Sequence, residues 1–233
     1  MSDPSQPASI TVTPQGPYVV KGGPPIRRKR IVSTERDEPV AWELTGTVAA
    51  SEEEYSLCRC GGSSNKPFCD GTHEKRDWDG TETAAVTEYD VRATSYPGTG
   101  MTMRDDRSIC EHAGFCTNKI SNVWKMSKLT ADTAVRSQVM GMIDRCPSGA
   151  LTYRADAGGP DLEPDLPVAI NVVDDGPLFV TGGVPVTRAD GAPLETRNRM
   201  TLCRCGASKN KPLCDGSHAD AGFHDPLSGP ATG

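Results

Sequence analysis

Cysteine and histidine residues recur in this chain at spacings typical of metal ligands. Cys58 and Cys60 stand two residues apart, so in an extended segment both thiolates point the same way and can reach one ion or cluster. Cys69 and His73 are four residues apart, and Asp70-Gly71-Thr72 between them predicts a helix start that would place both side chains on one helical face. The same set recurs later in the chain as Cys203, Cys205, Cys214 and His218.

Three thiolates and one imidazole form a donor set that suits more than one kind of metal site. A structural zinc site uses these ligands in tetrahedral geometry, and an iron–sulfur cluster uses the same ligand types. The unpaired amides of a helix start favour an anionic ligand, and a thiolate-ligated cluster is anionic. Spacing alone therefore leaves zinc and an iron–sulfur cluster open.

Three further cysteines, Cys110, Cys116 and Cys146, lie outside these two sets. They could be buried small hydrophobic side chains or a third group of ligands. The chain has nine cysteines, an odd number, and its start lacks both the basic and the apolar region of an export signal. This combination favours metal or cluster ligation over a disulfide framework.

Two blocks of the sequence occur twice. Residues 170–186 match residues 10–26 at 8 of 17 positions, and residues 203–218 match residues 58–73 at 12 of 16 positions. The two offsets, 160 and 145, mean that the first copy carries 15 additional residues somewhere within 27–57. We interpret this insertion as a longer hairpin or loop.

The composition of each copy predicts strands. Each copy opens with alternating β-branched residues, then Gly-Pro, then a second apolar run, which is typical of two strands joined by a tight turn. Because an isolated hairpin is marginal in water, we expect the two copies to pack as an intrachain pseudo-dimer. The basic run Arg27–Arg30 in the first copy is interpreted as a solvated loop, with a docking patch for an acidic redox partner as the alternative.

The region between the copies predicts a small α+β insert. Residues 130–146 place apolar side chains at helical spacing, with Thr130 or Asp132 as the cap. Short strands are expected at 101–103 and 150–153. With 24 glycines and 19 prolines the whole chain is turn-rich, so we expect a small, loop-rich α+β fold.

The predicted organisation has four parts. The parts are a first repeat at 1–78, an α+β insert at 79–155, a linker at 156–167, and a second repeat with its tail at 168–233. We expect the tail to be loose from Gly222 onward, with His224 as a tail residue and not a ligand.

The motif C-x-C-x2-S-x3-P-x-C-D-G-[ST]-H, present in both copies, resembles the signature of the CDGSH iron–sulfur family, the mitoNEET-like proteins. The resemblance implies one [2Fe–2S] cluster per copy, held by three Cys and one His. It also implies two interleaved halves under a β-cap, which tandem members place in one chain. The matching positions beyond the ligands are Ser63, Ser208, Pro67, Pro212, the two Asp-Gly pairs, and the aromatic residues Trp78 and Phe223.

The middle cysteines resemble a different family. ICEHAGFC, followed later by CPSGAL, is similar to the single-cluster bacterial ferredoxins, but Ala113 stands where their middle cysteine would be. The resemblance implies a [3Fe–4S] cluster, or a [4Fe–4S] cluster whose fourth iron is held by His112, water or another group. The missing thiolate could also leave an open coordination position for chemistry.

Histidine ligation has two expected consequences. Replacing a thiolate by an imidazole removes negative charge from one iron and raises the reduction potential. Because the bonding nitrogen of His73 or His218 must be unprotonated, acid should compete with iron for these residues.

Charge and motif content narrow the function. The net charge of −6 disfavours nucleic acid as the main partner, and no apolar stretch approaches the roughly 20 residues of a membrane span, so a cytoplasmic protein is expected. The sequence has no nucleotide-binding glycine motif and no nucleophile–base constellation, so we predict that it is not an enzyme.

Three functions remain open from the sequence. The first is an electron carrier with three clusters that exchanges electrons with redox partner proteins. The second is a labile cluster donor to apo-protein acceptors, or a redox or pH sensor. The third is a zinc-stapled interaction module. In each case we expect a monomer with an internal pseudo-dimer.

Overall fold

The structure is a computed structural model that describes residues 7–155 and 159–225. Within these residues, twelve short strands form three sheets, and the helices are few and short. The protein is therefore a loop-rich α+β protein.

The first copy forms five strands. Its bounds are β1 Ser9–Val12, β2 Tyr18–Lys21, β3 Ile26–Ser33, β4 Pro39–Val48 and β5 Glu54–Leu57. The insertion that was expected as a hairpin or loop is the β3–β4 hairpin.

In the described part of the region between the copies, three strands and three α-helices occur. Their bounds are α1 Tyr89–Arg92, β6 Thr94–Gly98, β7 Met101–Asp105, α2 Val123–Met126, α3 Thr133–Asp144 and β8 Leu151–Arg154. An antiparallel sheet in the order β6-β7-β8 packs against α3.

Up to residue 225, where its described part ends, the second copy forms four strands and one short helix. Its bounds are β9 Ala169–Val173, β10 Leu178–Thr181, β11 Val186–Thr187, β12 Arg199–Leu202 and α4 Ser217–Asp220.

Each copy contributes a strand to the sheet of the other copy. β3 lies parallel to β9, with Ile26 opposite Ile170, inside the five-stranded sheet β12-β10-β9-β3-β4. In return, β11 lies parallel to β1, with Ile10 opposite Val186, at one edge of the four-stranded sheet β11-β1-β2-β5. Neither sheet is therefore built from one copy alone.

The inward-facing side chains of both sheets form one hydrophobic core. Ile10 and Val20 of the first copy pack in the same cluster as Ile170, Val180 and Leu202 of the second copy, and each of the five is at most 1% exposed. Burial of such a side chain contributes roughly 1.5–3 kcal/mol. The period-two pattern of the strands thus fixes the two copies against each other.

The basic run of the first copy is a strand, so its interpretation as a solvated loop was wrong. Arg27 and Arg28 lie in β3, whose backbone pairs with β4 on one side and β9 on the other. The Nζ of Lys29 lies 5.2 Å from the ring centre of Phe179. The neighbouring apolar residues and the two partner strands outweigh the preference of the charges for open solvent.

The predicted helix of the insert is shorter than expected. It begins after Asp132, whose carboxylate accepts a hydrogen bond of 2.8 Å from the backbone N–H of Ala134. The helix ends at Asp144, with Arg145 as its C-cap, so Cys146 lies just beyond it. The predicted strands at 101–103 and 150–153 correspond to β7 and β8.

The described residues of the predicted linker and tail are mostly exposed or half-buried, but contacts hold both segments to the fold. In the linker, residues 156–158 lie outside the described residues, but Leu162 donates to Tyr153 with an N···O distance of 2.7 Å. In the tail, residues 226–233 lie outside the described residues. Asp225, however, is fully buried and lies 2.7 Å from Nη1 of Arg204. A buried carboxylate paired with a buried guanidinium explains why the chain does not leave the surface at Gly222.

None of the helices in the described ranges is long and apolar enough to cross a membrane.

Candidate metal centres

The four predicted ligands of the first copy lie together as two pairs. Cys58 and Cys60 follow β5, and their sulfur atoms are 3.9 Å apart. The sulfur of Cys69 is 3.3 Å from Nδ1 of His73. The two pairs are also near enough to interact electrostatically, because the Cys58 thiol contributes to raising the pKa of Cys69.

The second copy repeats this arrangement. The sulfur atoms of Cys203 and Cys205 are 3.6 Å apart, and the sulfur of Cys214 is 3.4 Å from Nδ1 of His218. The eight predicted ligands of the two copies therefore form two similar sites.

Cys69 and His73 do not share a helical face, so that expectation was wrong. Gly71 has a φ of +82° and precedes a three-residue 3-10 helix, Thr72–Glu74, which contains only His73 of the pair. In the second copy Gly216, with a φ of +86°, precedes α4 in the same way. A left-handed glycine turn, which favours a residue without a side chain, brings the thiol and the imidazole together.

Equivalent hydrogen bonds in the two copies hold each cysteine loop. In the first copy, Ser63 Oγ donates to the carbonyl of Phe68 at 2.7 Å, and Asp70 Oδ2 accepts from the backbone N–H of Ser64 at 2.8 Å. In the second copy, Ser208 donates to Leu213 at 2.7 Å, and Asp215 accepts from Lys209 at 2.8 Å. The non-ligand positions of the motif thus position the ligands.

The arginine between the paired cysteines anchors the first site. Arg59 is 1% exposed and donates to the carbonyl oxygens of Gly16, Gly80 and Thr13 at 2.8, 2.9 and 3.1 Å. Its guanidinium also lies 5.0 Å from the ring centre of Trp78. The contacts fix the Cys-x-Cys segment to the turn between β1 and β2.

Arg204 has the same role in the second copy. It donates to the carbonyl oxygens of Gly176 and Val173, both at 2.7 Å, and stacks 4.9 Å from Phe223. The sequence reasoning missed these two arginines. The signal that could have revealed them is the identical Cys-Arg-Cys triplet in both copies. An arginine with no structural role would not be expected to recur between the two cysteines.

The thiols of each Cys-x-Cys pair have opposite pKa shifts. The pKa of Cys60 is lowered, chiefly because Cys58 hydrogen-bonds to its sulfur. Burial opposes this effect, and the N–H of Gly62, 3.4 Å from the sulfur, adds to it. The pKa of Cys58 is raised by that same hydrogen bond and by burial. One thiolate is thus favoured in each pair, and a metal must displace the remaining proton.

The remaining thiol of each copy lies in a less polar setting. Burial raises the pKa of Cys69 and raises that of Cys214 more strongly. Burial also lowers the pKa of His218, with a further contribution from Arg204. A neutral imidazole is the form that binds a metal.

The donor set of each copy fits a dinuclear centre. Two ligands that each lie about 2.3 Å from one tetrahedral metal are about 3.8 Å apart, which is close to the separation within each Cys-x-Cys pair. Among the residues that the structure describes, no three His, Cys, Asp or Glu side chains converge as ligands of a single ion. The ligands are instead arranged as two adjacent pairs.

The two sites are in backbone contact. Cys60 and Cys205 form an isolated antiparallel bridge. A methyl group on Gly61 would lie 2.3 Å from the carbonyl oxygen of Cys205, and one on Gly206 would lie 2.6 Å from that of Cys60. Only glycine allows the two cysteine segments to approach so closely.

The three remaining cysteines line one cavity. Cys110, Cys116 and Cys146 face a cavity of about 250 Å³, together with Ala113. Burial raises the pKa of Cys116 to about 11, with contributions from the other two thiols. The interpretation of these cysteines as separate core residues is therefore not favoured, because their side chains share one space.

Two donors contact the sulfur of Cys110. The N–H of His112 lies 3.4 Å from it, and Nη1 of Arg107 lies 3.6 Å from it. Burial raises the pKa of Cys110, and these two donors oppose that effect. The donor set of three thiols around a common cavity fits a cluster with one protein ligand missing.

His112 and Glu111 lie between this cavity and the second copy. His112 has a φ of +64°, and its Cδ2 would lie 3.1 Å from a methyl group placed on Gly216. Glu111 is 5% exposed, and burial raises the pKa of its carboxyl to about 8. The ring of His112 therefore lies beside the second cysteine loop, and His112 also lines the cavity of the three thiols.

The inserted hairpin packs against the third cavity. The indole N–H of Trp42 in β4 donates to the carbonyl of Arg145 at 3.0 Å, and its ring centre lies 5.1 Å from that of Phe115. These partners directly precede Cys146 and Cys116. One side chain of the first copy thus contacts both arms of the third cysteine group, a role that the sequence reasoning missed.

Known families match the segments that carry these residues. Residues 15–74 and 175–219 match a family model described as "Iron-binding zinc finger CDGSH type", and residues 96–156 match one described as "Divergent 4Fe-4S mono-cluster". No curated protein and no solved structure matched the chain.

The two sets of matches define the class as iron–sulfur proteins. Within that class, the chain is a tandem CDGSH-type protein with a divergent mono-cluster domain inserted between its two CDGSH copies.

Proposed function

We propose that this protein transfers electrons through three iron–sulfur centres. The first centre would be a [2Fe–2S] cluster held by the ligands of the first copy, the second a [2Fe–2S] cluster held by those of the second copy. The third would be a [4Fe–4S] or [3Fe–4S] cluster. The ligands of the first centre would be Cys58, Cys60, Cys69 and His73. Those of the second would be Cys203, Cys205, Cys214 and His218, and those of the third would be Cys110, Cys116 and Cys146.

One observation carries this proposal: the first two ligand sets touch through the Cys60–Cys205 bridge. A cluster donor or a zinc staple needs no such contact between its sites, whereas electron transfer depends steeply on distance. The proposal includes an intrachain pseudo-dimeric β-cap, supported by the exchange of β3 and β11, and a ferredoxin-like fold for the insert.

The protein's own residues would hold each centre and adjust its charge. Bound clusters supply reversible one-electron redox chemistry. Backbone N–H groups at Gly62 and Ala207, each 3.4 Å from a cysteine sulfur, would stabilise added negative charge there. The buried Arg59 and Arg204 would act in the same direction.

The proposed role is that of a carrier and not of an enzyme. Its partners would be one-electron redox proteins. Ala113 leaves one position of the third cluster without a thiolate. A non-cysteine ligand would complete the cluster there, and the position would not bind a substrate.

Metal and sulfide analysis tests the proposal. The anaerobically purified chain should contain acid-labile sulfide with about 7 Fe for a [3Fe–4S] third centre, or about 8 Fe for a [4Fe–4S] centre, and it should cycle reversibly by one-electron reduction. About 4 Fe would contradict the third centre. Stoichiometric zinc without sulfide would contradict electron transfer altogether.

A second candidate function is cluster donation from the first copy. Cys69 is half-buried whereas Cys214 is buried, and the side chain of His73 is 16% exposed. A ligand pair near solvent is accessible to an acceptor protein.

Two matched variants separate this function from electron transfer. For a donor, His73→Cys should slow the release of iron to an apo-acceptor more than His218→Cys does. Equal release from both variants, with reversible redox cycling retained, would leave electron transfer as the function.

A further inference from the structure

The segment that carries Cys110 lies against the cysteine loop of the second copy. Nδ2 of Asn210 donates to the carbonyl of Ser108 at 2.7 Å. A methyl group on Gly216 would lie 3.0 Å from the carbonyl oxygen of Glu111 and 3.1 Å from Cδ2 of His112. The two ligand segments therefore lie side by side, with too little room for a methyl group between them.

The equivalent positions of the first copy have no such neighbour among the described residues. Gly71 has nearly the same φ as Gly216, +82° against +86°, yet a methyl group on Gly71 would meet nothing within 4 Å. Asn65, the counterpart of Asn210, is exposed. Because the two glycines have nearly the same left-handed conformation, the difference at these positions arises from what packs against them.

A buried arginine attaches the insert to the second copy independently of this contact. Arg199 in β12 is 1% exposed and donates to the carbonyls of Asp144 at 2.6 Å and Leu151 at 3.1 Å. Repeat alignment places Glu54 at the equivalent position of the first copy, where the carboxylate is exposed and pairs with Lys21. The sequence difference between the copies therefore selects the second copy as the docking side.

We propose that residues 110–112 and 214–216 form the contact through which electrons pass between the third and second centres, and that the first centre is reached only through the second. This inference rests on the proposed function. The route from Cys110 to Cys214 runs along residues 110–112 and 214–216, which approach each other at Gly216. The Cys60–Cys205 bridge continues the route to the first centre. One electron moves, so the giving centre is oxidised and the receiving centre is reduced, and no proton or bond moves.

Electron paramagnetic resonance on the loaded full-length chain tests this order. In the reduced protein, the signal of the third centre should be broadened and relax faster because of a nearby paramagnetic second centre. The enhancement should be lost in Cys214→Ala, which removes a ligand of the second centre, and retained in Cys69→Ala, the matched change in the first copy. Retention in Cys214→Ala, or loss in Cys69→Ala, would overturn the proposed order.

A second pair of variants tests the contact without removing a ligand. Gly216→Ala and Gly71→Ala impose the same left-handed strain, but only Gly216→Ala pushes against residues 111 and 112. The enhancement should weaken in Gly216→Ala alone. If the glycine variants do not fold, the milder pair Asn210→Ala and Asn65→Ala replaces them. Equal relaxation enhancement in the two variants of a pair would overturn the proposed contact.

The failure of this inference can be distinguished from failure of the proposed function. Iron and sulfide are measured on every sample before spectroscopy. A loaded chain without a third paramagnetic centre would overturn the proposed function and this inference together. Three centres whose mutual coupling does not follow the predicted order would overturn this inference alone.

Discussion

At the scale of single residues, Arg59 and Arg204 support the candidate ligands from the interior of the fold. Each guanidinium is buried, and each donates to carbonyl oxygens of the adjacent hairpin turn. A buried charge is costly unless its hydrogen bonds are made, so the two arginines require the turns in their present positions. The ligand segments thereby receive a rigid support.

Arg59→Ala should destabilise the protein and deplete the first centre. The buried carbonyls of Gly16 and Gly80 would lose this donor, whereas the half-buried carbonyl of Thr13 keeps the N–H of Gly16. The free energy of unfolding should therefore fall by about 3 kcal/mol. Urea unfolding of the apo-protein and iron content per chain measure the two effects.

Lys75→Ala is the control for Arg59→Ala. It removes an exposed positive charge from the same copy and should change the stability by less than about 0.5 kcal/mol. Equal stability of the two variants would contradict the structural role of Arg59.

The pairing of the cysteines could be predicted from the sequence, but the residues that support each pair could not. The spacing of Cys58 and Cys60, together with its repetition at Cys203 and Cys205, predicts two thiols side by side, and the structure places the sulfur atoms of each pair close together. Nothing in local sequence shows that Arg59 turns inward, because its carbonyl partners at residues 13, 16 and 80 are brought to it only by the fold.

At the scale of elements, the β3–β4 hairpin is more than an extension of the sheet. Trp42 lies between Phe115 and Phe179, with ring centres 5.1 and 5.5 Å away, and hydrogen-bonds the end of α3 through Arg145. Glu38 accepts a hydrogen bond from the N–H of Lys119. The hairpin therefore covers the loop that carries Cys116.

Trp42→Ala should weaken the third centre selectively. Loss of two aromatic contacts and one hydrogen bond should cost about 1–3 kcal/mol. We expect the iron content to fall by the third centre's share while both [2Fe–2S] signals remain, as measured by iron analysis and paramagnetic resonance.

Leu44→Ala provides the comparison on the same strand, because Leu44 is 56% exposed. It should leave all three centres loaded. Selective loss of a CDGSH-type centre in Trp42→Ala would contradict the role of the hairpin.

The cap of α3 gives a further prediction. Asp132→Ala should lower the free energy of unfolding by about 1 kcal/mol, because the N–H groups of Ala134 and Val135 lose their acceptor. Asp132→Asn keeps an acceptor and should recover most of that loss. Thermal unfolding of both variants measures the difference, and equal loss in both would argue against the cap.

Elements with strong periodicity or a cap could be predicted, and elements set by tertiary contact could not. The pattern of residues 130–146 predicts α3 well, and the alternating residues predict the hairpins. The turn that joins Cys69 to His73 could not be predicted in detail, because a glycine-led 3-10 turn and a helix start have the same Asp-Gly-Thr sequence. The strand at Arg27–Arg30 depends on its partner strands β4 and β9, and β9 lies far from it in sequence.

At the scale of the whole molecule, exchange of strands makes the two copies one folding unit. Ile26 belongs to the first copy, yet it is 2% exposed within the sheet of the second copy, opposite Ile170. Damage to one copy should therefore reach the ligands of the other.

Ile26→Ala tests this coupling. The cavity left behind should cost about 3 kcal/mol. We expect the first and second centres to lose iron together and the chain to unfold in one transition. Val40→Ala, at a 41% exposed position in β4, should change neither. Loss of iron from the first centre alone would show that the copies are energetically separate.

The exchange of β3 and β11 also bears on how such a chain can change during evolution. Deleting or replacing either copy would leave the surviving sheet without its borrowed strand, with an open backbone edge that invites aggregation. The two copies are thus inherited as an inseparable pair.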